Sequence, residues 1–305
     1  PDGARAGEED MAAGAAELRT LWRRIDSVRS TQKITHAMEL IAASRITRAR
    51  EAVEAARPYA VMITRVMRDL ATEATVGDHP LLSEHEELRR IGVVVISGDR
   101  GLAGAYNANI LRRADRLVEQ EEQAGREVRR YVVGRKAQQT YSYQGRDIAQ
   151  YWTGVTDRPR YADAAEIAER IIADYSAGEV DRVWVCFTNF RSALRQVPSV
   201  LQLLPVRERE LSGGEGYAPE YLFEPSPRTL LEQLVPRYVE HRMYAALLES
   251  SASEHASRQR AMSNATDNAG ELIEDLTREA NAARQAAITT EISEIVSGAE
   301  ALSSG

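Results

Sequence analysis

The sequence predicts an α/β protein: two long helices at opposite ends of the chain, paired as an antiparallel coiled coil, with an α/β domain between them. Three observations carry this. Near both termini, apolar residues recur at three- and four-residue steps in a narrow seam, the pattern of a coiled coil rather than of a broad globular face. In the middle, short apolar runs alternate with helical stretches and turn signals. Of 305 residues, 43% are hydrophobic but only 6% aromatic, a composition that favours long helices over one large core. The pairing must be antiparallel, because a compact domain returns the chain near the point where it left. The expected divisions are a disordered leader over 1–11, a coiled-coil helix over 12–76, the α/β domain over 88–220 and a second coiled-coil helix over 227–303.

In the first helix, Leu18, Leu21, Ile25 and Val28 set the seam. Ile34, Met38 and Ile41 resume it after a slip, and Ile46, Ala49, Val53, Ala56, Tyr59, Ile63, Val66 and Leu70 carry it onward. Pro58 predicts a kink or local break. Gly77, Asp78 and Pro80 end the segment.

The middle region begins with a buried strand, Ile91-Gly-Val-Val-Val-Ile96, and the turn Ser97-Gly-Asp-Arg-Gly101. Helices are expected over 107–123, 135–143 and 162–175, and strands over 128–133, 148–155, 180–188 and 200–206. This alternation implies a mostly parallel sheet. The stretch 212–219 reads as a loop.

In the last segment Thr229 is the expected helix cap, and Pro236 either starts or kinks the main helix. No proline follows from Arg237 to Ala301, about 65 residues or roughly 100 Å of helix, more than one compact domain can cover. Leu272, Leu276, Ala283, Ala287 and Ile288 continue the seam, extended by Ile292, Ile295 and Val296. The small residues Ala42, Ala43, Ala49, Ala283 and Ala287 permit close approach of the two backbones.

Charge and chemistry exclude several classes. The net charge of −7 argues against a nucleic-acid partner. Its distribution is uneven: residues 12–75 hold 11 Arg/Lys against 7 Asp/Glu, and residues 261–305 hold 2 Arg against 8 Asp/Glu, so the two ends attract. No apolar run approaches the roughly 18 residues needed to span a bilayer. Membrane association therefore has to come through a partner. Cys186 is the single cysteine and lies in an apolar run, which excludes a disulfide framework. The five histidines form no i, i+4 metal pair, and His36 and His255 are expected on solvated helix faces. The turn with Gly98, Gly101 and Gly104 stands where a phosphate loop would, between a strand and a helix, but matches neither G-x-G-x-x-G nor a P-loop, and Asp99 would repel phosphate. No metal, cofactor or catalytic residue is expected. Glu291 and Glu294 share a helix face whose default role is solvation.

Three stretches carry a family resemblance. Ile25-Asp-Ser-Val-Arg-Ser-Thr-Gln-Lys-Ile-Thr-His-Ala-Met-Glu-Leu-Ile-Ala-Ala-Ser-Arg45 resembles the N-terminal signature of gamma subunits of bacterial F-type ATP synthases. The central loop Ser97-Gly-Asp-Arg-Gly-Leu-Ala-Gly-Ala-Tyr-Asn-Ala-Asn109 is similar to theirs. So are the C-terminal stretches Ala261-Met-Ser-Asn-Ala-Thr-Asp-Asn-Ala-Gly270 and Ala283-Arg-Gln-Ala-Ala-Ile-Thr-Thr-Glu-Ile-Ser-Glu-Ile-Val-Ser-Gly298. The likeness runs from about Ala15 to the end of the chain. It implies a Rossmann-like domain at the foot of the coiled coil, and a non-catalytic rotor in the central stalk of a proton-translocating complex. The implied partners are three alpha and three beta subunits around one copy of this chain, with the epsilon subunit and the ring of c subunits at the foot. The implied location is peripheral, on the cytoplasmic face of the bacterial plasma membrane. Met38, with His36 beside it, falls where the family's first helix faces a beta-subunit loop. Arg258, Arg284, Gln285, Thr289, Glu291 and Glu294 fall at family positions that contact alpha and beta. Asp99, Arg100, Gly101 and Gly104 form the foot loop, and Leu272, Ile292 and Val296 are implied seam or bearing residues.

Departures from the family pattern are His36 in place of a common Lys, Ala103 in place of a common Cys, and Asp26 in a stretch that is often basic. With no second cysteine, thiol regulation is not expected. Two rivals remain on shape alone. A nucleotide-binding enzyme predicts an acidic ribose ligand after the second strand, where Gly-Arg-Lys stands instead. A coiled-coil tether or chaperone predicts an exposed apolar tip joining the helices, whereas here the domain joins them.

Overall fold

A computed structural model describes residues 2–73, 79–85, 87–207 and 226–303. The elements run α1 (Asp2–Glu73), β1 (Arg90–Ile96), α2 (Tyr106–Gln123), β2 (Glu127–Val133), α3 (Arg135–Tyr143), β3 (Gln150–Trp152), α4 (Tyr161–Ser176), β4 (Arg182–Phe190), β5 (Gln196–Leu204) and α5 (Pro227–Ser303). The expected loop over 212–219 and the turn signals Gly77 and Asp78 lie outside the described residues. Two compact units emerge: Pro1–Leu40 with Ala261–Gly305, and Ile41–Arg260.

The first unit is a helix pair. Ile25, Leu276 and Ala280 are buried together, with Leu18, Leu21, Val28 and Ile273 packed against them. The expected slip after Val28 does not occur. The burial of α1 follows Val28, Gln32, Thr35 and Glu39 in unbroken four-three steps, and the same register continues through Ala42 and Ile46. Thr35 is 9% exposed while Ile34 is 58% exposed. Helical geometry, not side-chain hydropathy, decides which residue faces the partner helix. Polar residues on the seam are matched across it: Thr35 Oγ1 and Thr266 Oγ1 lie 2.8 Å apart, and Gln32 Nε2 donates to the Thr266 carbonyl at 3.4 Å. Gly270 leaves room for Gln32, whose Nε2 would sit 3.2 Å from a Cβ there. In α5, Ile273 takes the seam position expected of Leu272, which is exposed.

The start of α1 also departs from expectation. α1 begins at Asp2, over residues expected to form a disordered leader. Ala4, Ala6, Glu8, Glu9, Ala12 and Ala13 are strong helix formers, and no proline interrupts them. Both long helices continue through their internal prolines, Pro58 and Pro236. The cap of α5 is Ser226 rather than Thr229: Ser226 Oγ accepts the Thr229 N–H at 3.2 Å, and Pro227 occupies the first helical position, where its missing N–H costs nothing.

The second unit is built on a five-stranded sheet of order β3-β2-β1-β4-β5. β1 pairs in parallel with β2 and β4, and β2 with β3, while β5 closes the edge antiparallel to β4. Alternation along β1 explains its continuous apolar run, because both faces are covered. Ile91, Val93 and Val95 pack with α2 and α3 through Ile110, Ala114, Ala137 and Tyr141. Val94 and Ile96 pack on the other face with α4, the far end of α1 (Ile63, Met67) and the start of α5 (Val235, Val239, Met243). Helical segments assigned from sequence to the coiled coil, 41–73 and 227–260, thus belong to this unit, because their apolar residues cover one face of the sheet.

Candidate functional site

In an open parallel sheet, ligands gather where neighbouring strands connect in opposite directions, beyond the strands' C-terminal ends. Here that point lies between β1 and β4, and the turn after β1 leads into it. The Asp99 carboxylate of this turn is bound on the β2–β3 side. It accepts the N–H groups of Arg135 (3.0 Å), Gly154 (2.8 Å) and Thr156 (3.0 Å), and the Thr156 hydroxyl at 2.9 Å. Arg135 is the first residue of α3, so the carboxylate caps a helix N-terminus as a phosphate would. Burial opposes the charge on Asp99, but these donors outweigh it and hold the carboxyl below its ordinary range. The turn is closed from within.

Beneath it lies a second acid. A Cβ at Gly98 would come 2.8 Å from the Glu254 carboxyl carbon, so this glycine admits the Glu254 side chain of α5. Glu254 is buried and ion-paired to Arg258, and burial raises its affinity for a proton. Arg258 also donates to the Gly101 carbonyl, at 3.3 Å from Nη2 and 3.4 Å from Nε. Its Nη1 lies 3.3 Å from His255 Nδ1. Arginine has no acceptor, so Nδ1 accepts and the imidazole proton sits on Nε2, 3.2 Å from the Asp157 carbonyl. Burial holds His255 neutral, its pKa pushed down to about 4. The Asp157 carboxylate takes Arg45 Nη1 of α1 at 2.6 and 2.8 Å. Tyr106 Oη, at the start of α2, donates to the Ser250 carbonyl at 3.2 Å. One network therefore ties α1, the β1–α2 turn, the β3–α4 loop and α5 together, with no nucleophile beside a general base.

Two expectations are corrected here. His255, expected on a solvated face, is 2% exposed. Arg258, expected to meet a partner subunit, is 6% exposed and engaged internally. Five of the other expected contact residues are exposed. His36 is exposed, with Nδ1 3.6 Å from Glu39, and Met38, two residues on, is half-buried. Arg284, Gln285, Thr289 and Glu291 are exposed along α5, while the Glu294 side chain lies outside the described residues. Ile288, Ile292, Ile295 and Val296 are apolar and exposed rather than seamed. In the turn, Arg100 points outward, Gly101 is half-buried and Gly104 takes a positive φ of 56° on the way into α2.

A family model described as ATP synthase matches residues 17–302. Over 297 residues the chain is 52% identical to an ATP synthase gamma chain of Frankia casuarinae, covering 95% of this chain and 99% of that one. The chain belongs to the ATP synthase gamma-chain family. A gamma chain of Saccharopolyspora erythraea is 48% identical over 304 residues, covering 95% of this chain and 98% of the relative. Among solved structures, the central stalk and c-ring of the Tetrahymena thermophila mitochondrial ATP synthase matches with a TM-score of 0.60 at 26% identity, covering 76% of this chain and 99% of that one. A chain of the Euglena gracilis mitochondrial ATP synthase shares the fold with a TM-score of 0.65 at 15% identity, covering 95% and 96%.

Membership places the carboxylates in a new light. The gamma chain is a rotor subunit that is not itself catalytic, and in this chain the closed turn joins helices and sheet. Sequence reading missed Asp157, Glu254 and Arg45 as members of the network. The Arg45–Asp157 pair spans 112 residues and leaves no local signal. Glu254 and Arg258 stand at i, i+4, a spacing that does signal a pair.

Proposed function

We infer that the chain is the rotor shaft of a proton-translocating F-type ATP synthase, coupling rotation of the c ring to ATP synthesis at the beta-subunit sites. The observation that carries this reading is the near end-to-end likeness to bacterial gamma chains. The helix pair of the first unit supports it. A paired helix resists twist because each turn is hydrogen-bonded within itself and packed on its neighbour. Its outer surface at the α5 end combines small polar side chains with scattered aliphatic ones and carries no aromatic anchor of the kind that makes binding hot spots. Such a surface suits sliding contact.

In this reading three alpha and three beta subunits surround one copy, and Met38, His36, Arg284, Gln285, Thr289, Glu291 and Glu294 face them. The epsilon subunit and c ring bind at the sheet domain, whose turn Asp99, Arg100, Gly101 and Gly104 serves as an internal brace. Among the described residues no helix is long and apolar enough to cross a membrane. The proposed location is peripheral, at the cytoplasmic face of the bacterial plasma membrane, held there by partners.

Co-expression with the cognate alpha and beta subunits tests the reading. A hexamer should form around one copy, and in the whole synthase reconstituted into vesicles truncation after Glu279 should lower the ratio of protons pumped to ATP hydrolysed. A chain that stays apart from alpha and beta, yet binds a nucleotide by calorimetry, overturns it.

A further inference from the structure

Within the second unit, a cavity of about 230 Å³ opens between α1 at residues 45–52, the β3–α4 loop at 157–159 and α5 at 248–255. Three arginines border it: Arg45, Arg48 and Arg158. Arg45 uses a single nitrogen, Nη1, for both oxygens of Asp157. Its Nε and Nη2 therefore keep their N–H groups with no acceptor among the described residues, and both nitrogens stay open to solvent. Arg48 stands three residues on, along the same face of α1, and Arg158 directly follows Asp157. Both are exposed, and neither has an ion pair or hydrogen bond among the described residues. Arginine side chains rooted this close around one cavity can meet a single anion.

The chemistry selects the ligand. Asp157 is the one acid among the residues that border the cavity, and its carboxylate is already held by Arg45, with Arg100 Nη2 at 3.6 Å. His255 on the same wall is neutral. Three arginines against one carboxylate leave an excess of two positive charges. A cation would meet that excess, and a neutral molecule would leave the open guanidinium edges unmatched. An oxyanion fits the planar N–H fork of arginine, and a dianion balances the charge. Much of the remaining wall is apolar, with Leu248 on α5 and Ala49 and Ala52 on α1, so the ligand carries a small hydrocarbon body beside its charge.

We propose that this cavity is a binding site for a small phosphate monoester, its dianion held by Arg45, Arg48 and Arg158 and its hydrocarbon body lodged against Leu248 and the α1 alanines. The site is independent of the rotor assignment, since it rests on side chains of this unit alone. A phosphate there adds a second bridge between α1 and the β3–α4 loop, beside the Arg45–Asp157 pair.

The test uses the full-length chain labelled at alanine and leucine methyl groups. It is titrated with phenyl phosphate and, separately, with phenol, at about pH 7.5, where the monoester is a dianion, and at constant ionic strength. Saturable shifts are expected at the Ala49, Ala52 and Leu248 methyls with phenyl phosphate, and binding at least about tenfold weaker with phenol. Arg48→Gln and Arg158→Gln change exposed side chains, so the fold is retained, and each should weaken phenyl phosphate binding about tenfold. Arg65→Gln removes the same charge from an exposed position of α1 outside the cavity wall and should change it by less than about twofold. Ala52→Leu keeps every charge and fills the cavity, so it should abolish binding. An absence of saturable shifts at the three methyls overturns the proposal. So does an equal loss in Arg48→Gln, Arg158→Gln and Arg65→Gln, which would mean diffuse attraction to the surface, and so does phenol binding as tight as that of phenyl phosphate.

Discussion

His255 illustrates how burial decides residue chemistry. Its imidazole titrates near 4 in the folded chain, chiefly through burial, with Arg258 and Arg45 opposing a second positive charge and Asp157 partly favouring it. A free histidine titrates near 6.5. Between these values the unfolded chain binds a proton that the folded chain refuses, so stability is full above about pH 6.5, falls as pH drops and levels off below about 4. The loss is on the order of 3 kcal/mol. Urea midpoints at pH 7 and pH 4.5 measure it, and His255→Gln, which keeps a donor for the Asp157 carbonyl, should flatten the difference. The Glu254–Arg258 pair behaves differently. Arg258→Met leaves a buried acid whose remaining partner is gone, and a cost of about 3–5 kcal/mol is expected in chemical denaturation at pH 7. Asp99 is half-exposed, and its removal acts locally: Asp99→Ala should speed amide exchange at Arg135, Gly154 and Thr156 with little change elsewhere. The acid at Asp99 was legible in the sequence as an obstacle to phosphate. What it binds instead was not, because its donors come from the start of α3 and the β3–α4 loop, 36 to 57 residues away.

At the scale of elements, local pattern wrote the strands and short helices plainly. Residues 135–143 were expected as a helix and form α3, since Gly134 marks the stop of β2 and nothing in the nine residues breaks a helix. That glycine is also irreplaceable. Its φ is 99°, and a Cβ would stand 2.3 Å from the Ser97 carbonyl oxygen. Gly134→Ala should therefore cost more than about 2 kcal/mol, visible as a lowered melting temperature, through a backbone clash that side-chain rotation cannot relieve. The seam of α1 was read less well. Hydropathy favoured Ile34 and Ile41, and the helix buried Thr35 and Ala42 instead. A three-four register propagates along a continuous helix, and a few polar positions are tolerated when the partner helix supplies a match, as Thr266 does for Thr35. β5 was expected over 200–206 and runs over Gln196–Leu204, its start set by pairing with β4 rather than by its own polar first residues.

At the scale of the whole molecule, the long helices serve two kinds of packing along one length. From Ile41 and up to Arg260 they cover a sheet and bury large residues such as Met67 and Met243. In the other unit they meet each other through Ile25, Leu276 and Ala280. The sequence changes accordingly, from broad apolar faces to a narrow seam, and the last turns of α5 leave Ile288, Ile292 and Val296 exposed. Exposed aliphatic residues add nothing to the stability of the free chain, so a role for them has to come from assembly. Replacing all three with serine should leave the free chain within about 0.5 kcal/mol of its original stability. In the whole synthase reconstituted into vesicles with its c ring, the same variant should lose coupling: ATP hydrolysis persists while proton pumping per ATP falls. Equal loss in the free chain's stability would mean these side chains pack within the helix pair. Unchanged pumping would mean the shaft bears on its sleeve through other residues, with Arg284, Gln285 and Thr289 next to be replaced.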